Sequence, residues 1–387
     1  MTTTCLHVGR AFGSGGELRD AAIVFRDGVI EAVGPRESIV FPAGAQEVLA
    51  RDRTAVPGFI DVHIHGAGGR DVMEGTPAAL RRIATTVASH GTTSFVATTV
   101  TADPNAIIHS SEGLASYIAL QHKETVAGAE VLGIHFEGPF ISPIRRGVHP
   151  TQWLKLPSAE LLDKFISASQ GNALLLTIAP ELLGAMPCID AARKAGMVVG
   201  IGHTDATYEQ ARAAVARGAH HAIHTYNAMR PFTHRDPGVI GAVLTSPDIS
   251  AELIADGVHV DETAMRLLLQ AKGAGGVILI SDGISATGMP DGTYILGGFE
   301  VTVRGGVCRN AEGKLAGSTL TLDHALRNIV KLGASLEDAV RMLSFNPAKL
   351  LGIENKKGTL RANADADLVL LDENLQVTRV YARGLPV

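Results

Sequence analysis

The middle of the chain alternates between short apolar runs and longer amphipathic segments. Segments with helical spacing, such as PAALRRIATTVASHG and DETAMRLLLQAKG, separate most of the runs, and several end in a glycine suited to a helix C-terminus. Eight such β/α repeats within roughly 230 residues are typical of a TIM (β/α)8 barrel. The eight apolar runs are GFIDVHIH, TSFVATTV, VLGIHFEG, ALLLTIAP, MVVGIGHT, HHAIHTYN, AELIADGV and VILISDGI.

Both chain ends show a β pattern instead. AAIVFRDGVIEAVG has two apolar runs around Asp27-Gly28, which is typical of a two-residue hairpin turn, and ADLVLLDENLQVTRVYARG predicts strand, turn and strand. We therefore expect a small β-sandwich domain from residues 1–55 and 355–387, and a catalytic barrel from residues 56–354. GTYILGGFEVTVRGGVCRN, after the eighth run, predicts an inserted hairpin. A doubly wound sheet is less suited, because no G-x-G-x-x-G follows the first run.

Composition excludes several classes of partner. The 387 residues carry a formal net charge of −5 with no basic stripe, so we expect no nucleic-acid partner. No apolar run reaches the ~18 residues of a membrane helix, and MTTTCLHVGR does not resemble a signal peptide, so we expect no membrane association. Three scattered cysteines form no C-x-x-C, which favours a reducing cytoplasm.

Histidines and carboxylates stand where the apolar runs end. Strand residues two apart face the same way, so the pair in VPGFIDVHIHG projects to one side. The H-x-H pattern alone is as compatible with one structural histidine and one loop histidine as it is with a pair of metal ligands. In a barrel, however, the C-terminal strand ends converge on one mouth, which favours a site for Zn²⁺, or else Fe²⁺, Co²⁺ or Mn²⁺. The residues in question are His63, His65, Glu137, His203, His224 and Asp282.

Seven motifs occur in a recognisable order along the chain: HFEGPFISP, GVHP, GHTDATY, HTYNAM, HRDPG, ADGVHVD and SDGISATG. Together they resemble the N-acetylglucosamine-6-phosphate deacetylases, a family of the amidohydrolase superfamily, over essentially the whole chain. H-x-H and the final aspartate are superfamily signals, whereas HFEGPF, HTYNAM and HRDPG are more specific to the deacetylases. Some members of the family lack H-x-H and hold one metal, but this chain keeps both histidines.

The resemblance implies a role for each matching residue. Glu137, His203 and His224 match the metal ligands, and Asp282 matches the acid/base that activates water and protonates the leaving amine. Arg235 matches an arginine that reaches the sugar phosphate of a neighbouring subunit, which implies a homodimer. The residues that match substrate contacts are Val148, His149 (also catalytic, at the acetyl carbonyl), Asn227, Ala228, Asp256, His259, Leu315, Ala316 and Gly317.

The reaction implied is hydrolysis of N-acetylglucosamine 6-phosphate to glucosamine 6-phosphate and acetate. One or two divalent metals are expected per chain, the second on His63, His65 and the far oxygen of Glu137. Three alternatives stay open at this point: a cyclic-amide hydrolase, a nucleobase deaminase and a non-catalytic sugar-phosphate-binding scaffold. The first is disfavoured because LLLTIAPE lacks the lysine that such enzymes carboxylate, and the last because every catalytic position is filled.

Overall fold

The computed structural model describes residues 3–13, 15–124 and 126–387. Eight parallel strands, paired neighbour to neighbour in chain order, form its central sheet. With the helices between them they confirm the predicted (β/α)8 barrel. The barrel strands, numbered one to eight below, are Phe59–Ile64, Thr92–Thr99, Glu130–Glu137, Ala173–Ile178, Val198–Ile201, His221–Ala222, Ser250–Ile254 and Val277–Ile280.

Backbone hydrogen bonds close the barrel between strands eight and one at the C-terminal end. The Asp282 N–H donates to the His63 carbonyl over 3.0 Å, and the His65 N–H donates to the Gly283 carbonyl over 2.7 Å. Closure therefore brings the H-x-H pair and Asp282 side by side.

Helices with defined ends surround the strands. The first begins with Pro77 after the Thr76 cap, whose hydroxyl accepts from the Ala79 N–H, and another begins with a capping box between Thr207 and Gln210. The α-helices are Pro77–Ala88, Pro104–Lys123, Ala159–Ala168, Ala185–Lys194, Tyr208–Ala216, Gly238–Thr245, Glu262–Lys272, Leu322–Lys331, Leu336–Leu343 and Phe345–Leu350. Short 3₁₀ helices span Arg36–Ser38, Val72–Glu74, Thr151–Trp153 and Ala274–Gly276. Across the described residues, no helix is long and apolar enough to cross a membrane.

The sixth strand is shorter than its apolar run suggests. HHAIHTYN predicts a full strand, but regular pairing covers only His221–Ala222. His224, Tyr226 and Ala228 have φ values of 27°, 79° and 50°, and a left-handed backbone cannot continue a β ladder. The rest of the run is a loop that faces the barrel mouth.

The two chain ends meet in one seven-stranded sheet with a core of its own, which confirms the predicted small β domain. Asp27 and Gly28 form the predicted two-residue turn, with φ of 50° and 81°. Gln46–Pro57 pairs antiparallel with Leu368–Leu371 and so joins the N-terminal part to the C-terminal part. The domain boundaries at 55/56 and 354/355 stay a prediction. The strands are Thr3–Gly13, Gly16–Arg26, Val29–Pro35, Gln46–Pro57, Leu368–Leu371, Val377–Ala382 and Leu385–Pro386.

The insertion after strand eight is a three-stranded antiparallel sheet: Gly292–Leu296, Phe299–Arg304 and Val307–Asn310. It contains the predicted hairpin and adds a third strand. Its tip is held by the Gly297 N–H, which donates to Asp71 over 2.8 Å. Asp71 belongs to a small hairpin of Gly66–Ala67 and Arg70–Asp71 after strand one, so the inserted sheet lies against the barrel mouth.

Candidate active site

Six buried residues from five strand ends meet at the barrel mouth. Glu137 is the last residue of strand three, and His203, His224 and Asp282 each follow the end of a strand by two positions. These last three have left-handed φ values of 46°, 27° and 50°. Such a conformation costs about 1–3 kcal/mol outside glycine and is typical of functional sites, where the surrounding structure enforces it. Here it ends each strand and turns the side chain into the mouth.

Glu137, His203 and His224 form one compact group of potential metal ligands. The Glu137 Oε1 atom lies 3.1 Å from His203 Nε2 and 3.0 Å from His224 Nε2, and the two Nε2 atoms are 3.1 Å apart. A carboxylate and two imidazoles at this spacing can share one cation.

His63, His65 and Asp282 form a second group beside the first. The Asp282 Oδ1 atom lies 3.3 Å from His65 Nε2 and 3.7 Å from His63 Nε2. Glu137 also contacts this group, with Oε1 3.4 Å from His63 Nε2 and Oε2 3.2 Å from His65 Nε2. One carboxylate therefore stands between both groups.

Hydrogen bonds on the far side of the rings orient two of these imidazoles. His65 Nδ1 donates to the Thr98 carbonyl over 3.0 Å, and His203 Nδ1 donates to the Arg145 carbonyl over 2.8 Å. A carbonyl only accepts, so Nδ1 carries a proton in each ring, and in the neutral ring, the form that binds metal, the lone pair of Nε2 faces the mouth. This arrangement is characteristic of metal-binding histidines.

Glu252, in the middle of strand seven, does the same for His63. Its Oε2 atom accepts from His63 Nδ1 and from the His224 backbone N–H, both over 2.9 Å, and its Oε1 atom accepts from His221 Nε2 over 2.8 Å. Glu252 is completely buried. Sequence reasoning missed this residue, although a carboxylate near the start of the apolar run AELIADGV was the available signal.

The electrostatics of the mouth favour a cation. Burial alone would lower the pKa of His65, but the hydrogen bonds and charges of Asp282 and Glu137 raise it to about 9. His63 behaves similarly, since the charges of Glu252 and Glu137 overcome burial and raise its pKa. Its Nε2 atom is buried without a hydrogen-bond partner. This unpaired ligand atom, the negative surroundings and the imidazole and carboxylate donors all fit a divalent metal such as zinc, iron, cobalt or manganese.

A cavity of about 190 Å³ opens above the six residues. Most sequence-predicted site residues line it: His65, Glu137, Val148, His149, His203, His224, Asn227, Ala228, His259, Asp282, Leu315 and Gly317. Four do not. His63 lies beneath the others, Ala316 is fully buried behind the lining, Asp256 holds His259, and Arg235 is exposed on the loop after strand six. Sequence reasoning missed Val100, Gly147, Leu296 and Phe299, which also line the cavity.

Two further histidines at the cavity have defined hydrogen-bonding states. The Thr101 N–H donates to His149 Nδ1 over 3.2 Å, so Nε2 carries the ring proton and points toward Glu137 Oε2, 3.5 Å away. Burial lowers the pKa of His149 to about 4, which keeps this ring neutral. His259 Nδ1 donates to Asp256 over 2.6 Å, and although burial opposes it, this carboxylate raises the pKa of His259.

The barrel, the imidazole and carboxylate groups at its mouth and the cavity above them define a metal-dependent hydrolase of the amidohydrolase type. The model of the amidohydrolase family matches residues 54–387. An N-acetylglucosamine-6-phosphate deacetylase of Vibrio furnissii is 39% identical over 372 residues, which cover 95% of this chain and 90% of that relative. The chain belongs to the N-acetylglucosamine-6-phosphate deacetylase family of the amidohydrolases.

Further similarities extend over the whole chain. The structure of an N-acetyl-D-glucosamine-6-phosphate deacetylase mutant of Mycobacterium smegmatis, in complex with N-acetyl-D-glucosamine 6-phosphate, has a TM-score of 0.92 and 35% identity, covering 100% of this chain and 99% of that one. An N-acetylgalactosamine-6-phosphate deacetylase of Escherichia coli O157:H7 is 38% identical over 384 residues, covering 99% of this chain and 98% of that relative. Relatives of similar identity thus differ in the sugar they are named for.

Proposed function

We propose that this chain removes the acetyl group of N-acetylglucosamine 6-phosphate by hydrolysis, giving glucosamine 6-phosphate and acetate. The observation that carries the proposal is the convergence of a metal-ligand group, a carboxylate and a neutral histidine donor on one small cavity. Family membership supports the same activity. The galactosamine-type relative makes the other N-acetylhexosamine 6-phosphates the first alternative substrates.

Glu137, His203 and His224 hold the principal metal in this proposal. When bound, such an ion supplies Lewis acidity that polarises a carbonyl and acidifies water. Zinc suits the imidazole and carboxylate donors, with iron, cobalt or manganese as alternatives. His63 and His65 lie against the same Glu137 carboxylate, so they would hold a second, weaker ion beside the first.

Asp282 moves the proton. An amide has a poor leaving group, so the attacking water must lose a proton and the departing nitrogen must gain one. The Asp282 carboxylate faces the cavity and is 3.3 Å from His65 Nε2. It takes the proton of the water on one oxygen and delivers it to the amine as the carbon–nitrogen bond breaks.

His149 stabilises the negative charge that develops on the acetyl oxygen. Because the Thr101 N–H occupies Nδ1, the proton of the neutral ring is on Nε2, where it can be donated into the cavity. A donor that is already in place for an oxyanion typically contributes about 3 kcal/mol. The side chain of His149 needs no rearrangement for this role.

Arg235 supplies the cation for the phosphate from a second subunit. The described residues that line the cavity include no lysine or arginine, yet a phosphate ester needs one. Asn227 and Ala228, on the loop after strand six, bind the phosphate within the chain, and Arg235 on the same loop is exposed. The neighbouring Phe232 is 52% exposed and Ile144, on the loop after strand three, is 72% exposed. Such apolar surface at the barrel mouth suits a homodimer interface.

We also propose the sugar contacts, the domain bounds and the location of the protein. Val148, His259 held by Asp256, and the Leu315–Gly317 segment through Leu315 and Gly317 contact the sugar, while Ala316 supports that segment from behind. The barrel domain runs from residue 56 to 354, between the two parts of the β domain. The three cysteines are buried and none forms a disulfide, which supports a reducing, cytoplasmic location.

One experiment tests the activity against its rivals. The zinc-loaded protein is incubated with N-acetylglucosamine 6-phosphate, N-acetylgalactosamine 6-phosphate, a dihydropyrimidine and cytosine, and acetate, ammonia and the ring-opened product are measured. We expect acetate from the first substrate, loss of activity on chelation and recovery on adding metal. Ring opening or ammonia release without acetate would instead favour a cyclic-amide hydrolase or a deaminase, and no turnover at all would favour a binding scaffold.

A further inference from the structure

One side of the active-site cavity is apolar. Val100, just beyond strand two, and Leu296 and Phe299, from the inserted sheet, line it. Val100 and Leu296 are each 3% exposed, so they close the inner end, whereas Phe299 is partly exposed. These three residues are called the apolar wall below.

The apolar wall is fixed in place. Leu296 leads into the hairpin turn at Gly297, where a Cβ atom would lie 2.0 Å from Val100 Cγ2, so the turn rests directly on Val100. Asp71 accepts from the Gly297 N–H over 2.8 Å. On the residue before Leu296, the Ile295 carbonyl accepts from the Ser285 hydroxyl over 2.5 Å. Leu296 is therefore held through both of its neighbours, and an apolar surface fixed in this way can discriminate between ligands by size.

The wall faces the end of the substrate that carries the acyl group. Strands two and six stand four apart in a barrel of eight, so Val100 lies across the mouth from Asn227 and Ala228, the proposed phosphate side. Val100 also precedes Thr101, whose N–H holds the proposed carbonyl donor His149. A substrate with its phosphate at Asn227 and its carbonyl oxygen at His149 therefore directs its acyl carbon toward the wall.

We propose that Val100, Leu296 and Phe299 bind the methyl group of the acetamide and set the selectivity of the enzyme for acetyl over longer acyl groups. The inference rests on the proposed deacetylase function. Apolar side chains suit a methyl group, whereas a sugar hydroxyl buried against them would lose its hydrogen bonds to water. A tight apolar pocket discriminates by roughly 10- to 200-fold for one methylene.

The test measures kcat/KM for the N-acetyl, N-propionyl and N-butyryl derivatives of glucosamine 6-phosphate, by detecting the free amine. For wild type, kcat/KM should be roughly 10- to 200-fold lower for the N-propionyl substrate than for the N-acetyl substrate. Leu296→Ala should lower kcat/KM for the acetyl substrate and raise the propionyl-to-acetyl ratio by about tenfold or more. Ile295→Ala is the matched control, because Ile295 is the adjacent strand residue, is 50% exposed and does not line the cavity. The propionyl-to-acetyl ratio of kcat/KM in the Ile295→Ala variant should equal that of wild type.

Val100→Ala and Phe299→Ala, measured in the same way, keep the test decisive if Leu296→Ala does not fold. An unchanged propionyl-to-acetyl ratio in every folded wall variant, with acetate still released by wild type, would overturn the inference alone. A wild type that acts on none of the three amides would remove the deacetylase function itself, and the acyl-binding role with it.

Discussion

Replacing Glu252 with glutamine tests whether a buried carboxylate positions the metal ligands from behind. The change keeps the shape of the side chain and removes its charge. Glu252 accepts three hydrogen bonds, from His63 Nδ1, His221 Nε2 and the His224 N–H. Two of these donors belong to the proposed metal ligands His63 and His224. The negative charge of Glu252 therefore strengthens the hydrogen bonds that hold both residues in place.

The expected loss of stability follows from those three bonds. The amide oxygen of glutamine can keep the bonds from His63 and His224, and its NH₂ group then faces His221 Nε2. His221 can exchange tautomers, because the Ser250 hydroxyl at its Nδ1 both accepts and donates. A hydrogen bond to a charged group is worth about 1 kcal/mol more than a neutral one. With three such bonds, Glu252→Gln should lower the free energy of unfolding by about 3 kcal/mol. Glu252→Ala would leave three buried donors unpaired at about 1–3 kcal/mol each, close to the whole stability of a typical domain.

Glu252→Gln should also lower the affinity of the protein for metal, by more than its loss of folding stability accounts for. Removing a residue that holds a ligating histidine typically costs about 10- to 100-fold in metal affinity. The assay titrates metal-free protein with Zn²⁺ against a chromophoric chelator, and urea unfolding of the same metal-free protein measures stability. Glu130→Gln is the matched control. Glu130 is a mostly buried carboxylate that pairs with Lys357 over 2.7 Å at the opposite end of the barrel, so this variant should lose stability and keep its zinc affinity. A Glu252→Gln protein with the zinc affinity of wild type would refute the positioning role.

Three further predictions concern the residues at the mouth. Asp282→Asn should lower kcat by about 10²- to 10⁴-fold with metal content near wild type, and a variant that keeps more than about a tenth of the activity would remove Asp282 from proton transfer. Arg235→Ala should raise KM for N-acetylglucosamine 6-phosphate and change little for the unphosphorylated sugar; equal wild-type activity on both sugars would contradict the phosphate role. Wild type saturated with Zn²⁺ should hold up to two ions per chain by elemental analysis, and the His63→Ala, His65→Ala double variant should hold one and stay measurably active. Loss of the single ion in that variant, or a wild type that never exceeds one, would count against a second site on these histidines.

Periodicity was a good guide to the barrel because its strands are buried on both faces and its helices on one. The polar residues at the mouth could be found for the same reason, since they interrupt apolar runs at their C-terminal ends. His63 and His65 illustrate this, because their spacing alone predicts that they share a face. The left-handed turns at His224 and Ala228 could not be predicted from the sequence, because nothing in HHAIHTYN indicates that the strand ends after two residues.

What the sequence did not reveal depends on contacts between distant segments. Leu296 and Phe299 look like ordinary residues of a hairpin, and only the docking of Gly297 on Val100 makes them part of the cavity. Glu252 stands 189 residues from His63, so its hydrogen bond leaves no local pattern. Ala316 matches a family motif but is completely buried and does not line the cavity, although its neighbours Leu315 and Gly317 do.

The closure of the barrel at its mouth has a consequence for how the protein acquires its metal. The Ser281 N–H donates to Asp61 across 220 residues of chain, next to the bond from Asp282 to His63. Contacts of such long sequence separation form late and slowly in folding, because the intervening chain must be ordered first. A nascent or partly folded chain without this closure does not bring Asp282 beside His63 and His65, so the second ligand group is complete only in the finished barrel. An ion that binds the native state alone shifts the folding equilibrium by mass action, by about 2.7 kcal/mol at a hundred times its dissociation constant. Metal bound at the second group thus counts the molecules that have completed the circle of strands.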